Sequence, residues 1–320
     1  SQSATMSKLP KSPILHQFHL PITFRIVIYL SIFPLQVYAK EMIDYSFFLD
    51  KMSQDEQSIP MLAYLIFFGI IMLGFEVMSY LALHTGEWFS MKRIPVRGKH
   101  LDDLEFMDKV YITFNKLTAP PFIYCYLRYS YFSPNVIWHL DSFTILHTLL
   151  PIPLLFIVYD FVYTLFHGAL HIKSIYGYIH KHHHRQKAPS RGNVDAVNVH
   201  PIEYILGEFN HLLALYLVST YICNVHVATT IFFLAFGGYL AGLNHTRHDI
   251  VLLGGIYDSK AHDVHHRIPQ SNYGQYTMLW DKILDTYRPY NPNDRINPSA
   301  QLDLKNGKSL NYEGTQVKDE

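Results

Sequence analysis

Cysteine is scarce in this chain of 320 residues: there are two, Cys125 and Cys223. That is too few for a Cys-rich zinc or iron–sulfur site, and their apolar surroundings suit reduced core thiols. Net charge is missing as well, because 26 basic side chains balance 26 acidic ones. This argues against a general nucleic-acid binder, which carries a basic excess for the phosphates it meets. Charged residues of either sign amount to 16% against 49% hydrophobic ones, a greasy balance for a soluble enzyme. The apolar residues come in blocks, so a membrane is the expected partner. The chain starts at Ser1 rather than Met and shows no signal peptide with a cleavage site, so targeting is expected to rest on the spans themselves. Low-complexity tracts and long internal repeats are also absent.

What is present divides the chain into four stretches. Residues 1–21 mix prolines with Lys8, Lys11, His16 and His19 and read as a tail. Residues 22–153 are expected to form an N-terminal transmembrane region. Within it, 22–39 is apolar except for Arg25, and 61–83 is the cleanest span, with one embedded acid, Glu76, expected to hydrogen-bond between helices. Residues 110–130 are left open because Asn115, Lys116, Pro120 and Pro121 interrupt them. A third stretch, 154–290, holds the densest histidines, and 291–320 is a polar tail. Basic residues at 92–99 and from Lys173 to Arg191 mark the cytosolic side. Between the histidine patches, residues 201–243 are mostly apolar and long enough for roughly 63 Å of helix, twice the thickness of the bilayer's hydrocarbon core. They must fold back, and Asn224 is the expected turning point. Two crossings would bring both patches to one face. The expectation is an all-α integral membrane protein with four to six transmembrane helices and a cytosolic helical cap.

Ten of the twenty histidines fall into two patches of related spacing. The first supplies His167, His171, His180, His183 and His184; the second supplies His245, His248, His262, His265 and His266. Residues four apart on a helix share a face, so His167 and His171 can aim at one ion, as can His180 with His183 or His184. One ion seldom takes more than six ligands, and ten imidazoles therefore point to two ions, each drawing on both patches. Imidazole suits iron, zinc, copper or nickel, and no carboxylate cluster accompanies it. Asp160, Asp249 and Asp263 are expected to accept hydrogen bonds from ligand N–H groups. His182, inside the motif, is expected to point away, and His200 to stand behind the ligands. His84, His100, His139, His147, His211 and His226 are isolated and read as structural. A metal transporter would place its ligands within helices near the bilayer midplane, whereas these patches lie at span ends. A structural zinc protein needs four ligands per closed site, fewer than are offered.

The segments Asp160-x-x-Tyr163-x-x-x-His167-x-x-x-His171, His180-Lys-x-His183-His184, His200-Pro201-x-Glu203, His262-Asp-x-His265-His266, Asn272-Tyr-Gly274 and Trp280-Asp281…Thr286 resemble the fatty acid hydroxylase/sterol desaturase superfamily of membrane non-haem di-iron oxygenases. The resemblance covers about 154–290 and implies a catalytic domain there. It implies two iron ions on the ten boxed histidines, with O₂ as co-substrate; zinc can replace iron in such sites without supporting O₂ chemistry. It further implies hydroxylation, desaturation or epoxidation of a lipid in the endoplasmic reticulum membrane, with electrons from a cytochrome b5-type carrier or a reductase. No His-Pro-Gly-Gly haem segment is present, so the carrier is expected to be separate. The third box, His245-Thr-Arg-His248, departs from the His-Ser-Gly-Tyr type of methylsterol oxidases, which ranks His248 behind His245. The surroundings of His200-Pro201 and Asn272-Tyr-Gly274 resemble the sterol-pathway branch, implying a C4-methylsterol oxidase-like activity. The squalene epoxidase-like and fatty acyl hydroxylase or desaturase branches share the same boxes.

Overall fold

The computed structural model describes residues 61–291, apart from 98, 99 and 102, together with the backbone of 309–310 and 316–317. The expected span 22–39, the stretches flanking it and most of the polar C-terminal tail lie outside the described residues. What is described is mostly helical, and its strands are two-residue pairs.

Helix α1 (Met61–Trp88) is apolar on every side and exposed along most of its length, burying only Ala82, Thr85 and Gly86 near its end. A helix hydrophobic all round belongs in a core or a membrane, and this one is not in the core. Its 28 residues rise about 42 Å, enough to cross a bilayer. Glu76 receives a hydrogen bond from Lys116 at 2.5 Å on the next helix, the interhelical role expected of it.

Helix α2 (Phe106–Phe132) runs unbroken through the stretch that sequence left open. Asp108 and Glu105 cap its start reciprocally. Asn115 is a tie rather than an interruption: it is buried and donates to the carbonyls of Val197 and Val199. Pro120 and Pro121 remove two amide donors, but packing of Ala119, Pro120 and Phe122 holds the helix across the gap.

Helix α3 (Pro151–Leu170) starts with proline at its first position, where the missing N–H costs nothing. With the short π-helical turn Ile145–Leu149 it makes a second segment long and apolar enough to cross a membrane, and α1 is the first; these are the two among the described residues. Helices α4 (Pro201–Tyr221) and α5 (Val227–Leu243) reverse around Asn224, where the fold-back was expected. His200 and His226 are their N-caps, each lending a ring lone pair to an amide two residues on. Strand β1 (Val136–Ile137) pairs in parallel with β2 (Val225–His226) and ties α2 to the turn between α4 and α5. The core lies between the helices: Tyr126 of α2, Leu155 and Tyr159 of α3, Leu215 and Val218 of α4, and Phe233 and Leu240 of α5. At the other end of this stem lie two further helices, α6 (Ser259–Arg267) and α7 (Leu279–Ile283).

Candidate metal centre

Nine of the ten boxed histidines converge at one end of the stem, and they converge as two groups. His167, His171, His180, His184 and His265 form one; His183, His245, His262 and His266 form the other. Within each group the potential ligand atoms lie within 4.8 Å of one another, and every member is buried. The two His-x-x-His-His boxes share them by a crossed rule. The first and last histidine of each box enter one group and the middle one enters the other, so His180 and His184 are joined by His265, and His262 and His266 by His183. Each group thus draws on both patches. On α6 this follows from helical geometry, because i and i+4 face together and i+3 falls to one side. The 180–184 box reaches the same result from a turn followed by a short 3-10 segment, His183–Arg185.

Main-chain oxygens fix the rings. His167 Nδ1 donates to Tyr273 O at 2.8 Å, His265 Nδ1 to Ser271 O at 2.7 Å, His245 Nδ1 to Ala241 O at 2.9 Å and His266 Nδ1 to Gln186 O at 2.9 Å. A carbonyl only accepts, so these four Nδ1 atoms carry the protons and the four Nε2 atoms present lone pairs. His245 and His266 both aim such lone pairs at His262 Nε2, at 3.1 and 3.0 Å. His262 has at most one proton to give there. In the other group His167 Nε2 stands 3.1 Å from His180 Nε2, and His184 Nε2 stands 2.9 Å from His180 and 3.1 Å from His265. His171 Nε2 is buried with no hydrogen-bond partner at all. Converging lone pairs short of protons fit a cation, and an all-imidazole donor set suits iron, copper, nickel or zinc.

Burial also keeps the rings neutral, which is the form that ligates. It pushes His180 down to about 3, helped by the charge of Lys187. It drives His183, His184, His262, His265 and His266 well below the ordinary histidine range, and neighbouring imidazoles add to the effect.

His248 lies outside both groups. Helix α5 has ended by Leu243, and Arg247 turns the backbone left-handed at φ 61°, so the i, i+3 relation with His245 does not carry over. The segment 247–249 pairs with 92–94 instead, and the His248 ring fills the notch at Gly86, where a Cβ would meet it at 2.1 Å. His182 points away as expected, toward Asn198 and Asp108. The three acids expected to accept from ligand N–H groups do not. Asp160 receives the amides of Gln275, Tyr276 and Thr277, Asp249 pairs with Lys260, and Asp263 pairs with Arg247 and Arg267. Main-chain oxygens take their place because a buried carbonyl holds a neutral N–H without burying a charge.

One side chain does act as such an acceptor, and sequence reasoning had not given it that role. Glu203, on the first turn of α4, meets His180 Nδ1 at 2.7 Å. The other missed feature is a clasp over 271–286. Asn272, left-handed at φ 55°, binds Ala261 O and both polar backbone atoms of Arg288, while Asp281 accepts from Tyr273 N, Gly274 N and Thr286 Oγ1. A Cβ at Gly274 would meet Thr277 O at 2.4 Å. The clasp presents the carbonyls of Ser271 and Tyr273 to two rings of the five-histidine group. The motif residues Asn272, Gly274, Asp281 and Thr286 were the signal for it.

Residues 152–286 match the family model for fatty acid hydroxylase. The chain is 33% identical over 124 residues to fatty acid hydroxylase ahd1 of Mycosarcoma maydis, covering 39% of this chain and 30% of that one. It is 30% identical over 151 residues to methylsterol monooxygenase 1 of Danio rerio, covering 43% and 46%. It is also 30% identical over 127 residues to sphinganine C4-monooxygenase 1 of Arabidopsis thaliana, covering 37% and 46%. The chain thus spans less than half the length of these curated relatives, and no solved structure matches it. The match to the fatty acid hydroxylase family thus rests on the domain at 152–286, which carries both histidine groups and the clasp.

Proposed function

We propose that the chain is a membrane-bound di-iron monooxygenase that oxidises a lipid with O₂. The observation that carries this reading is the pair of buried imidazole groups at one end of an apolar helical stem. Two iron ions held by the nine grouped histidines would supply the activation of O₂ that an inert C–H bond demands. His248 stays outside this proposed ligand set.

The chain's own part is positioning. The carbonyls of Ser271, Tyr273, Gln186 and Ala241, with Glu203, aim the rings. Burial excludes water from both groups. A cavity beneath them is lined by His167 and His183, His245 and His262, and by stem residues that include Tyr163 and Phe166. A lipid chain in that cavity would present one carbon to both groups, and holding it there is worth more than acid–base chemistry at an unactivated carbon.

The spans α1 and α3, with α4 and α5, are read as belonging to four to six transmembrane helices, and the histidine end as a cytosolic cap on the endoplasmic reticulum membrane. Lys92, Arg93 and the basic residues between 173 and 191 support that side. A cytochrome b5-type carrier or a reductase would deliver electrons there. A C4-methylsterol is the finer substrate reading, supported by the longest of the three alignments. A fatty acyl substrate is the second reading, favoured by the 33% match to a fatty acid hydroxylase.

Lipid profiling tests this, with the chain expressed in cells lacking one sterol-pathway oxygenase at a time. The expected result is consumption of one accumulated lipid by the wild type and none by His183→Ala or His265→Ala protein that still inserts. Full turnover by those variants would overturn the oxygenase reading.

A further inference from the structure

The cavity beneath the histidine groups has two unlike walls. Phe75, Met78 and Leu234 make one side apolar. On the side of α3 and α4 it meets Tyr159, Tyr163, Glu208, His211 and Tyr276. The hydrogen bonds of that wall run in a definite direction. His211 Nδ1 faces the main-chain oxygen of Glu208 at 3.3 Å and so carries the ring proton. His211 Nε2 then accepts from the Tyr276 hydroxyl at 2.9 Å, and the Tyr159 hydroxyl bonds to Tyr276 in turn. The protons of His211 and Tyr276 are therefore committed within the wall.

The carboxyl group of Glu208 is not. It lines the cavity, half-buried, and among the described residues no side chain or amide hydrogen-bonds to it. A carboxyl group in a largely apolar cavity costs free energy unless something pairs with it. A hydroxyl pairs with it in either protonation state, since it both donates and accepts. The carboxylate of a free fatty acid pairs with it only when one of the two groups is protonated, because two carboxylates repel at that distance. Position adds to this. Glu208 follows Glu203, the residue that holds His180, by five residues of helix, a rise of about 7.5 Å. A group held at Glu208 thus leaves a few bonds between itself and a carbon facing the histidines.

We propose that Glu208 anchors a hydroxyl of the substrate, so that the substrate is a lipid alcohol whose hydroxyl lies a few bonds from the oxidised carbon. This rests on the oxygenase reading and narrows it. Sterols and long-chain sphingoid bases share the chemistry.

The test measures binding rather than turnover, using the full chain loaded with zinc in detergent micelles. The probes are a radiolabelled 4-methylsterol and its 3-O-methyl ether, sphinganine and its O-methylated derivative, and stearate. One free alcohol is expected to bind about tenfold or more tighter than its ether, the effect of one hydrogen bond to an acid. Whichever alcohol shows the gap identifies the source. Glu208→Leu is expected to weaken the alcohol to the level of its ether, and Glu208→Gln to retain most of the gap, because an amide still donates and accepts. Zinc content reports whether each variant is folded; if Glu208→Leu is not, the wild-type gap and its survival in Glu208→Gln decide. Lipid binding with no alcohol preference, or a preference unchanged in Glu208→Leu, overturns the anchor alone. Failure of every lipid to bind overturns the anchor together with the oxygenase reading.

Discussion

The five-histidine group takes four members from 167–184 and one from α6, while the four-histidine group takes one from the first patch and three from 245–266. Their support differs more than their number. In the first group His180 leans on the carboxyl group of Glu203, and the clasp at 271–286 holds His167 and His265 through the carbonyls of Tyr273 and Ser271, two residues apart. In the second, His245 and His266 rest on carbonyls of separate segments, and each group holds one buried Nδ1 without a partner, His184 in the first and His262 in the second. Ligand basicity and orientation depend on what stands behind each ring. Equal box spacing therefore builds two unequal sites, with the five-histidine group expected to hold its ion the more firmly.

The most forceful way to break this comparison is His265→Ala, which removes the one ring that α6 lends to the first group. Activity is expected to fall below about one hundredth of wild type, because even residues behind metal ligands cost roughly 10- to 100-fold. Elemental analysis should show bound iron dropping from two ions per chain toward one. Retention of both ions would mean that the groups do not act as separate sites.

A gentler probe is Glu203→Gln. The amide oxygen can still accept from His180 Nδ1, but it no longer raises the basicity of the ring. Iron affinity at the five-histidine group should weaken about tenfold, with no change at the other. Competition with a chelator resolves the two ions, and equal weakening at both would remove the asymmetry argued above.

The reach of the sequence follows the same division. The spacing pointed to two groups that each draw on both patches, but not to the crossed rule, because it left His180 to pair with either His183 or His184. The fold-back was legible from the length of the apolar stretch, and its place from Asn224, a polar residue in the middle of it. His248 shows where spacing misleads. Its distance from His245 looks helical, yet helix α5 has already ended and Arg247 turns left-handed, and neither event leaves a mark in the histidine pattern. Helix α2 was obscured for the opposite reason. Asn115 and Lys116 look like breaks until their partners, Val197, Val199 and Glu76, are known, and those contacts are 40 or more residues away. The cavity wall with Glu208 and His211 was invisible because an isolated polar residue in an apolar helix gives no periodic signal.

Acid should act on the metal-free protein through the same buried rings. His180 is held neutral down to about 3 by burial, whereas in an unfolded chain it titrates near the ordinary 6.5. Between those values the unfolded chain binds the more protons, so stability falls as pH drops through that window and is fully present only above it. The melting temperature of metal-free protein should decline from pH 7 to pH 5. Bound iron should oppose the decline, because protons and metal compete for the same nitrogens. A melting temperature indifferent to pH over this range would show that the rings are not buried as described.

The smallest effect is expected at His248. By spacing it is the missing fifth member of the second group, and its substitution asks whether the count of four is real. His248→Ala removes a ring packed against Gly86 and leaves the pairing of 92–94 with 247–249 to main-chain bonds that do not involve the side chain. Its Nδ1 is already buried without a partner, so no hydrogen bond is lost there. The cost is that of a partly collapsing void, about 1 to 2 kcal/mol, read as a small drop in melting temperature. Iron should stay at two ions per chain and activity within about threefold of wild type, the change that a shift of well under 1 kcal/mol at the site produces. Loss of one ion in His248→Ala would instead place this ring among the ligands and make the two groups equal in number.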